Sequence, residues 1–251
     1  MAVEIEKNKN GIVGELMNVG AHFGYASARR HPSVKSFILG SKNKVEIFDL
    51  EKTAEKLADA EQAMEALGAE GKVVLFVTSK GEAREVVKNA AESIDMPYVA
   101  GRWIGGTITN FEQIHKRLQK LIDLNDQKEK GQLGKYTKKE RLMIDREIEK
   151  LTLMFSGIIS LKKNPDAVFV VDSKQEYIAV AEANQNHIPV FALASSDCDI
   201  SLVQHAVPAN DSAQKTIELV TKKLVAAYQE GKKKAPVKTE SEKKGTKKEV
   251  K

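Results

Sequence analysis

KVVLFVTSKGEAREVVKNAAESI, residues 72–94, opens with an unbroken apolar run, Val73 to Val77, and continues into a helical pattern over Glu82–Ile94. Successive side chains of a strand point to opposite faces, so a run without polar alternation suits a strand covered on both sides. Outward from this unit, Met96–Val99, Ala167–Val171 and Val190–Leu193 are further apolar strand candidates, and Val45–Asp49 is a shorter one. Helices are expected over Ile12–Val19, along Thr53, Leu57, Ala60, Met64 and Leu67 up to Gly68, and over Gln175–Asn186 and Ser212–Tyr228. Apolar strands alternating with amphipathic helices build parallel β-α-β units. The expected fold class is α/β, an open, doubly wound parallel sheet flanked by helices.

The segment Phe111–Ile158 breaks this alternation, because it contains no strand-like run. Phe111, Ile114, Leu118, Leu121 and Asn125 recur at steps of three and four, as do Ile144, Ile148, Leu151, Phe155 and Ile158. Gly131 and Gly134 interrupt the chain between the two stripes, which predicts an antiparallel helical coiled-coil hairpin inserted at 111–158 and projecting from the sheet domain. The alternative is two surface helices lying flat on the core. The sheet domain then comprises residues 1–110 and 159–229. His22 to Asn43 has no clean period and reads as surface loop with short strands. The Lys-rich end, 230–251, is expected to be disordered.

Of the 40 basic and 35 acidic side chains, nine and four fall within 230–251, so the remaining residues hold 31 of each. A uniform basic coat is excluded, and any nucleic-acid surface must come from local segregation of charge. Between His22 and Lys44, Arg29, Arg30, Lys35, Lys42 and Lys44 stand with no acid among them. A weaker basic excess runs from Glu112 to Lys150, with eleven basic and eight acidic residues. No apolar run approaches the roughly 20 residues of a membrane span, and the start of the chain lacks a signal-like stretch. A cytoplasmic protein is expected. The single cysteine, Cys198, excludes an intramolecular disulfide and a CxxC metal pair.

Open α/β sheets bind ligands outside the carboxyl ends of their strands. Thr78-Ser79-Lys80-Gly81 lies at such an end, but neither GxGxxG nor GxxxxGK[ST] is present, and Ser79 reads as a helix N-cap. Asp172, Asp197, Asp199 and Asp211 fall near strand ends and could hold a structural magnesium or zinc ion with His22; turn and cap chemistry is the alternative. The five histidines are scattered, and no nucleophile-base-acid set can be assembled. AGRWIGGTITNF, residues 100–111, is unusual in composition. Arg102 can fork onto a phosphate, Trp103 can stack or fill a core, and Thr107, Thr109 and Asn110 can donate to phosphate or sugar oxygens.

That segment closely resembles a motif of the bacterial ribosomal protein S2 family. The order of other motifs also matches: Gly20-Ala21-His22-Phe23-Gly24, Asp49-Leu50-Glu51-Lys52-Thr53, Thr78-Ser79-Lys80, Pro165 to Asp172, His187-Ile188-Pro189-Val190 and Pro208 to Ala213. The resemblance spans about Val13 to Tyr228. It implies a flavodoxin-like domain with an inserted coiled coil, no catalysis, and a structural place in the small ribosomal subunit. Its implied partners are the small-subunit RNA, neighbouring ribosomal proteins and, where present, ribosomal protein S1. The chain departs from the family at Tyr25, where a second histidine is common. It departs again at Arg29 to Ser33, which lacks the family's tryptophan, at Ser196 to Ile200, and at Ala209, which replaces a glycine.

The expected RNA contacts are Arg29, Arg30, Lys35, Lys42 and Lys44; the 100–111 side chains named above; and Lys116, Arg117, Lys120, Lys138, Lys139 and Arg141 on the hairpin. Two rival readings are a nucleotide- or sugar-phosphate-binding enzyme using the Lys80 loop and the aspartates, and a coiled-coil adaptor without RNA contact.

Overall fold

The computed structural model describes residues 11–234. Five strands, β4 (Val74–Thr78), β5 (Tyr98–Ala100), β6 (Ala167–Val171), β7 (Val190–Ala194) and β8 (His205–Pro208), form a parallel sheet in the order β5-β4-β6-β7-β8. Every residue of β4, β6 and β7 is buried, the expected outcome of unbroken apolar runs. Alternate residues serve two cores. Phe76, Phe169 and Phe191 point to one, with Leu57, Met64, Leu224 and Tyr228. Leu75, Val77, Val168 and Val170 point to the other, with Trp103, Leu118, Ile148 and Phe155.

The first core is closed by a helix across residues 11–18 (α1), α2 (Leu50–Glu70), α3 (Gly81–Glu92) and α7 (Gln214–Lys234). α2 and α7 cross at two glycines. A Cβ on Gly68 would lie 2.2 Å from the Tyr228 carbonyl oxygen, and one on Gly231 would lie 1.9 Å from that of Glu65. Only glycine permits that approach. α7 therefore continues through residues 230–234, which the sequence placed in the disordered tail; the buried glycine crossing and the Lys234–Glu65 contact at 2.6 Å hold them helical. The rest of the expected tail lies outside the described residues.

The second core is closed by α4 (Phe111–Glu129), α5 (Lys138–Phe155) and α6 (Tyr177–Gln185). Thr137 and Glu140 form a reciprocal capping box that starts α5. The stripes read from the sequence are the buried ones: Ile114, Leu118 and Leu121 on α4, Ile148, Leu151 and Phe155 on α5. Lys128 reaches Asp145 at 2.7 Å across the pair, and Lys120 meets Glu147. The stripes also share one core with the sheet face, so the base of the helix pair and that face pack as a unit.

Three further strands, β1 (Phe23–Ala26), β2 (Ile38–Lys42) and β3 (Val45–Phe48), form a separate antiparallel sheet ordered β1-β3-β2. β2 and β3 are joined by Asn43 and Lys44, both at positive φ (53° and 66°), as a tight two-residue hairpin requires. This small sheet rests on the carboxyl edge of the large one. Tyr25 N–H donates to Ser196 Oγ at 2.8 Å, His31 N–H to the Ser196 carbonyl at 2.8 Å, and Asn210 N–H to the Ala21 carbonyl at 3.0 Å.

Candidate nucleic-acid interface

The chain leaves β4 toward β5 on one side and returns to β6 on the other, so the crevice between the carboxyl ends of β4 and β6 is where an α/β sheet offers a ligand site. In this chain the crevice is filled from within. Lys80 Nζ lies 2.9 Å from Asp172 Oδ2 and 2.8 Å from Asp211 Oδ2, with all three side chains a tenth exposed or less. It also donates to the Tyr25 hydroxyl at 3.3 Å and sits over that ring. Burial opposes the charge of Lys80, but the two carboxylates outweigh it and hold the ammonium above its usual range. Burial pushes the Asp211 carboxyl up to about 6. It also pushes the Cys198 thiol up to about 12, where Sγ donates to Asp172 Oδ1 at 3.4 Å.

Asp172, Cys198 and Asp211 bring their donor atoms within 4.8 Å of one another. They do not fit a resident ion: the Lys80 ammonium already occupies both carboxylates, and the sulfur is a neutral thiol, whereas metal ligands must be deprotonated. The other expected metal ligands are dispersed. Asp197 pairs with Lys174 at 2.9 Å, Asp199 lies 3.7 Å from His31, and the His22 ring packs on Phe23. Ser79 does not cap α3; its N–H and hydroxyl both meet the Glu176 carboxylate, and Lys80 takes the N-cap position. Before α7, Asn210 Oδ1 closes a turn, accepting from Ser212 N–H at 3.0 Å and Ala213 N–H at 3.3 Å.

The 100–111 segment winds around one carboxylate that sequence reading missed, Glu182 of α6. Its Oε1 accepts from Trp103 Nε1 (3.2 Å) and Gly106 N–H (2.8 Å), and its Oε2 from Ile108 N–H (3.0 Å) and from both N–H and Oγ1 of Thr109 (3.3 Å each). Burial opposes ionisation there, but the donors from Gly106, Ile108, Trp103 and Thr109 together outweigh it and hold the carboxyl below its usual range. Gly106, at φ +89°, supplies the turn that aims these N–H groups inward. Trp103 and Thr107 are correspondingly buried, and Thr107 Oγ1 donates to the Ile104 carbonyl, so neither offers its side chain to RNA. Arg102, Thr109 and Asn110 remain exposed.

The basic island is displayed on the small sheet and on the 3-10 turns between β1 and β2. Arg29, Lys35, Lys42 and Lys44 are exposed, while Arg30 Nη1 is held by the buried Glu46 carboxylate at 3.0 Å. Arg29 and Arg30 follow β1, Lys42 ends β2, and Lys44 lies in the turn of the β2–β3 hairpin. On the helix pair, Lys116, Arg117, Lys138, Lys139 and Arg141 are exposed, whereas Lys120 is engaged by Glu147. No helix of the described residues is long and apolar enough to cross a membrane.

A flavodoxin-like α/β sheet whose ligand crevice is sealed by its own ion pairs, with free cations on its appended elements, defines a scaffold protein that works through its surface. The family model described as Ribosomal protein S2 matches residues 16–231. The small ribosomal subunit protein uS2 of Sulfurimonas denitrificans is 41% identical over 218 residues, covering 87% of this chain and 84% of that protein. The chain belongs to the ribosomal protein S2 family, whose members are structural and non-enzymatic.

Proposed function

We propose that the chain is a structural constituent of the small ribosomal subunit in the cytoplasm, binding the small-subunit RNA and neighbouring ribosomal proteins in translation. The observation that carries this reading is the segregation of charge. In a folded part with balanced totals, Arg29, Lys35, Lys42 and Lys44 stand exposed on the β2–β3 hairpin and the 3-10 turns that precede it, with no acid in their stretch of sequence. Duplex RNA hides its base edges in a deep groove, so such a surface reads backbone shape and phosphate position. Arg102 and the free cations of the helix pair extend the contact, with 111–158 acting as an inserted arm between RNA and protein neighbours. Family resemblance extends the reading to docking of ribosomal protein S1 where that partner exists.

The test is the salt dependence of binding to small-subunit RNA. About five phosphates neutralised by Arg29, Lys35, Lys42, Lys44 and Arg102 give a log-log slope of about −4. Replacing Lys42 and Lys44 by glutamine should make the slope about two units shallower. A parent slope near zero would refute phosphate recognition and favour an adaptor that contacts protein alone. The rival nucleotide-binding reading would need Lys80 released from Asp172 and Asp211, and nothing in the crevice favours that.

A further inference from the structure

A second basic feature lies away from the small sheet, between α3, the end of β5 and the end of α5. A cavity of about 420 Å³ opens there. Arg84 and Lys88, four residues apart on α3 and so on one face of it, line it together with Arg102. Three cations share the cleft lining with the Glu85 carboxylate, while Glu92 is engaged by the Tyr98 hydroxyl at 2.9 Å, and none of the three has a carboxylate in ion-pair distance among the described residues. Arg84 spends one N–H on the Ser79 carbonyl (3.3 Å) and keeps the rest of its fork free.

The other walls are not those of a plain phosphate patch. Leu153, 88% exposed, stands at the rim, and the half-buried Tyr98 ring lies on the floor against Gly157, where a Cβ would come within 2.8 Å of it. A nearly bare leucine beside an aromatic ring and two guanidinium groups suits an unstacked base with its phosphate: the base lies on apolar and planar surfaces, and the phosphate takes the forks. The volume is within the roughly 300–1,000 Å³ of small-ligand sites, the scale of one nucleotide.

We propose that this cleft binds a splayed nucleotide of single-stranded RNA, as a site separate from the duplex-facing island on the small sheet. The inference rests on the RNA-binding reading above and names a second RNA class for the same protein. Base contact comes from Leu153 and Tyr98, and phosphate contact from Arg84, Lys88 and Arg102.

The experiment titrates the full chain into two labelled probes, an oligouridylate of about ten nucleotides and a blunt RNA duplex of about 16 base pairs, following fluorescence anisotropy. Arg84→Gln and Lys88→Gln combined should weaken oligouridylate binding about tenfold and leave duplex binding within about twofold. Leu153→Ala, at a position too exposed to matter for folding, should weaken the oligouridylate about threefold and leave an abasic oligonucleotide of equal length unchanged. Circular dichroism melts of each variant must match the parent. Oligouridylate affinity unchanged in the double variant overturns the proposal. An equal loss for both probes also overturns it, by making the cleft a duplex phosphate contact, and so does competition by polyglutamate as effective as by RNA. A parent that binds duplex but not oligouridylate sinks this inference alone, while a parent that binds neither sinks the RNA-binding reading with it.

Discussion

Removing the Glu182 carboxylate should unwind the segment that carries Arg102 and starts α4. Glu182→Ala leaves five donated hydrogen bonds without an acceptor, and two of them, from Trp103 Nε1 and Ile108 N–H, lie wholly in the interior. An orphaned buried donor costs about 1–3 kcal/mol, so the pair accounts for about 4 kcal/mol, while the part-buried donors can turn to water. For a chain of this length each kcal/mol shifts the melting temperature by roughly 2–4 °C, which predicts a fall of about 8–16 °C. Trp103 is the only tryptophan, so its emission reports this region alone and should shift to the red before the sheet melts. Glu182→Gln keeps one acceptor but sets an amide against the remaining N–H groups, and should fall between the two. The folded carboxyl is held below its ordinary value of 4.5. The stability it contributes is present above that value and lost as pH falls through the folded one, so the gap between parent and variant should close in acid. A melt within about 2 °C of the parent at neutral pH, with unchanged emission, would refute the reasoning.

The Asp211 carboxyl stands at about 6 in the fold against an ordinary 3.8. Between those values the folded state holds a proton the unfolded chain has lost, so stability falls as pH rises through the window, by about 3 kcal/mol. Asp211→Asn should remove that slope in urea titrations at pH values spanning the window, and parallel changes in parent and variant would contradict it. Gly231→Ala places a methyl against the Glu65 backbone and should cost at least about 2 kcal/mol by forcing α2 and α7 apart; an unchanged urea midpoint would show that the crossing is looser. Leu118→Asp puts a charge into the core shared by the helix pair and the sheet. It should lower the protection of β6 amides in hydrogen exchange as well as those of α4, and loss confined to α4 and α5 would make the arm an independent unit.

The sheet was legible because β4, β6 and β7 are covered on both faces, and an unbroken apolar run has few other uses. The helix pair was legible because its stripes hold one period over several turns. That α4 and α5 join the core beneath Leu75 and Val168 could not be read, since a heptad stripe shows which side is buried and not against what. β8 (HAVP) was missed for a different reason: four residues between an irregular loop and a proline give no periodic signal. Glu182 left one faint trace. It stands among Ala179, Val180 and Ala183, which are all buried, so a charge on an apolar helix face was the sign that something must donate to it.

The crevice failed to declare itself because its chemistry is made by residues distant in sequence. Lys80 and Asp211 are 131 positions apart, and each alone reads as a loop residue or a ligand for something external. Several side chains from distant parts of the chain are tied together at this edge. Tyr25 bonds Lys80 and Ser212, Ser196 accepts from the Tyr25 backbone, and Cys198 donates to Asp172. Changes at such linked positions must remain mutually compatible, because a buried ammonium or carboxylate that loses its partner costs more than either residue is worth alone. The same pairing explains why the crevice between the ends of β4 and β6 is closed to solutes. With the strand ends committed to holding the small sheet in place, exposed cations stand on the hairpin tip and the helix pair, where sequence composition had segregated charge without showing its geometry.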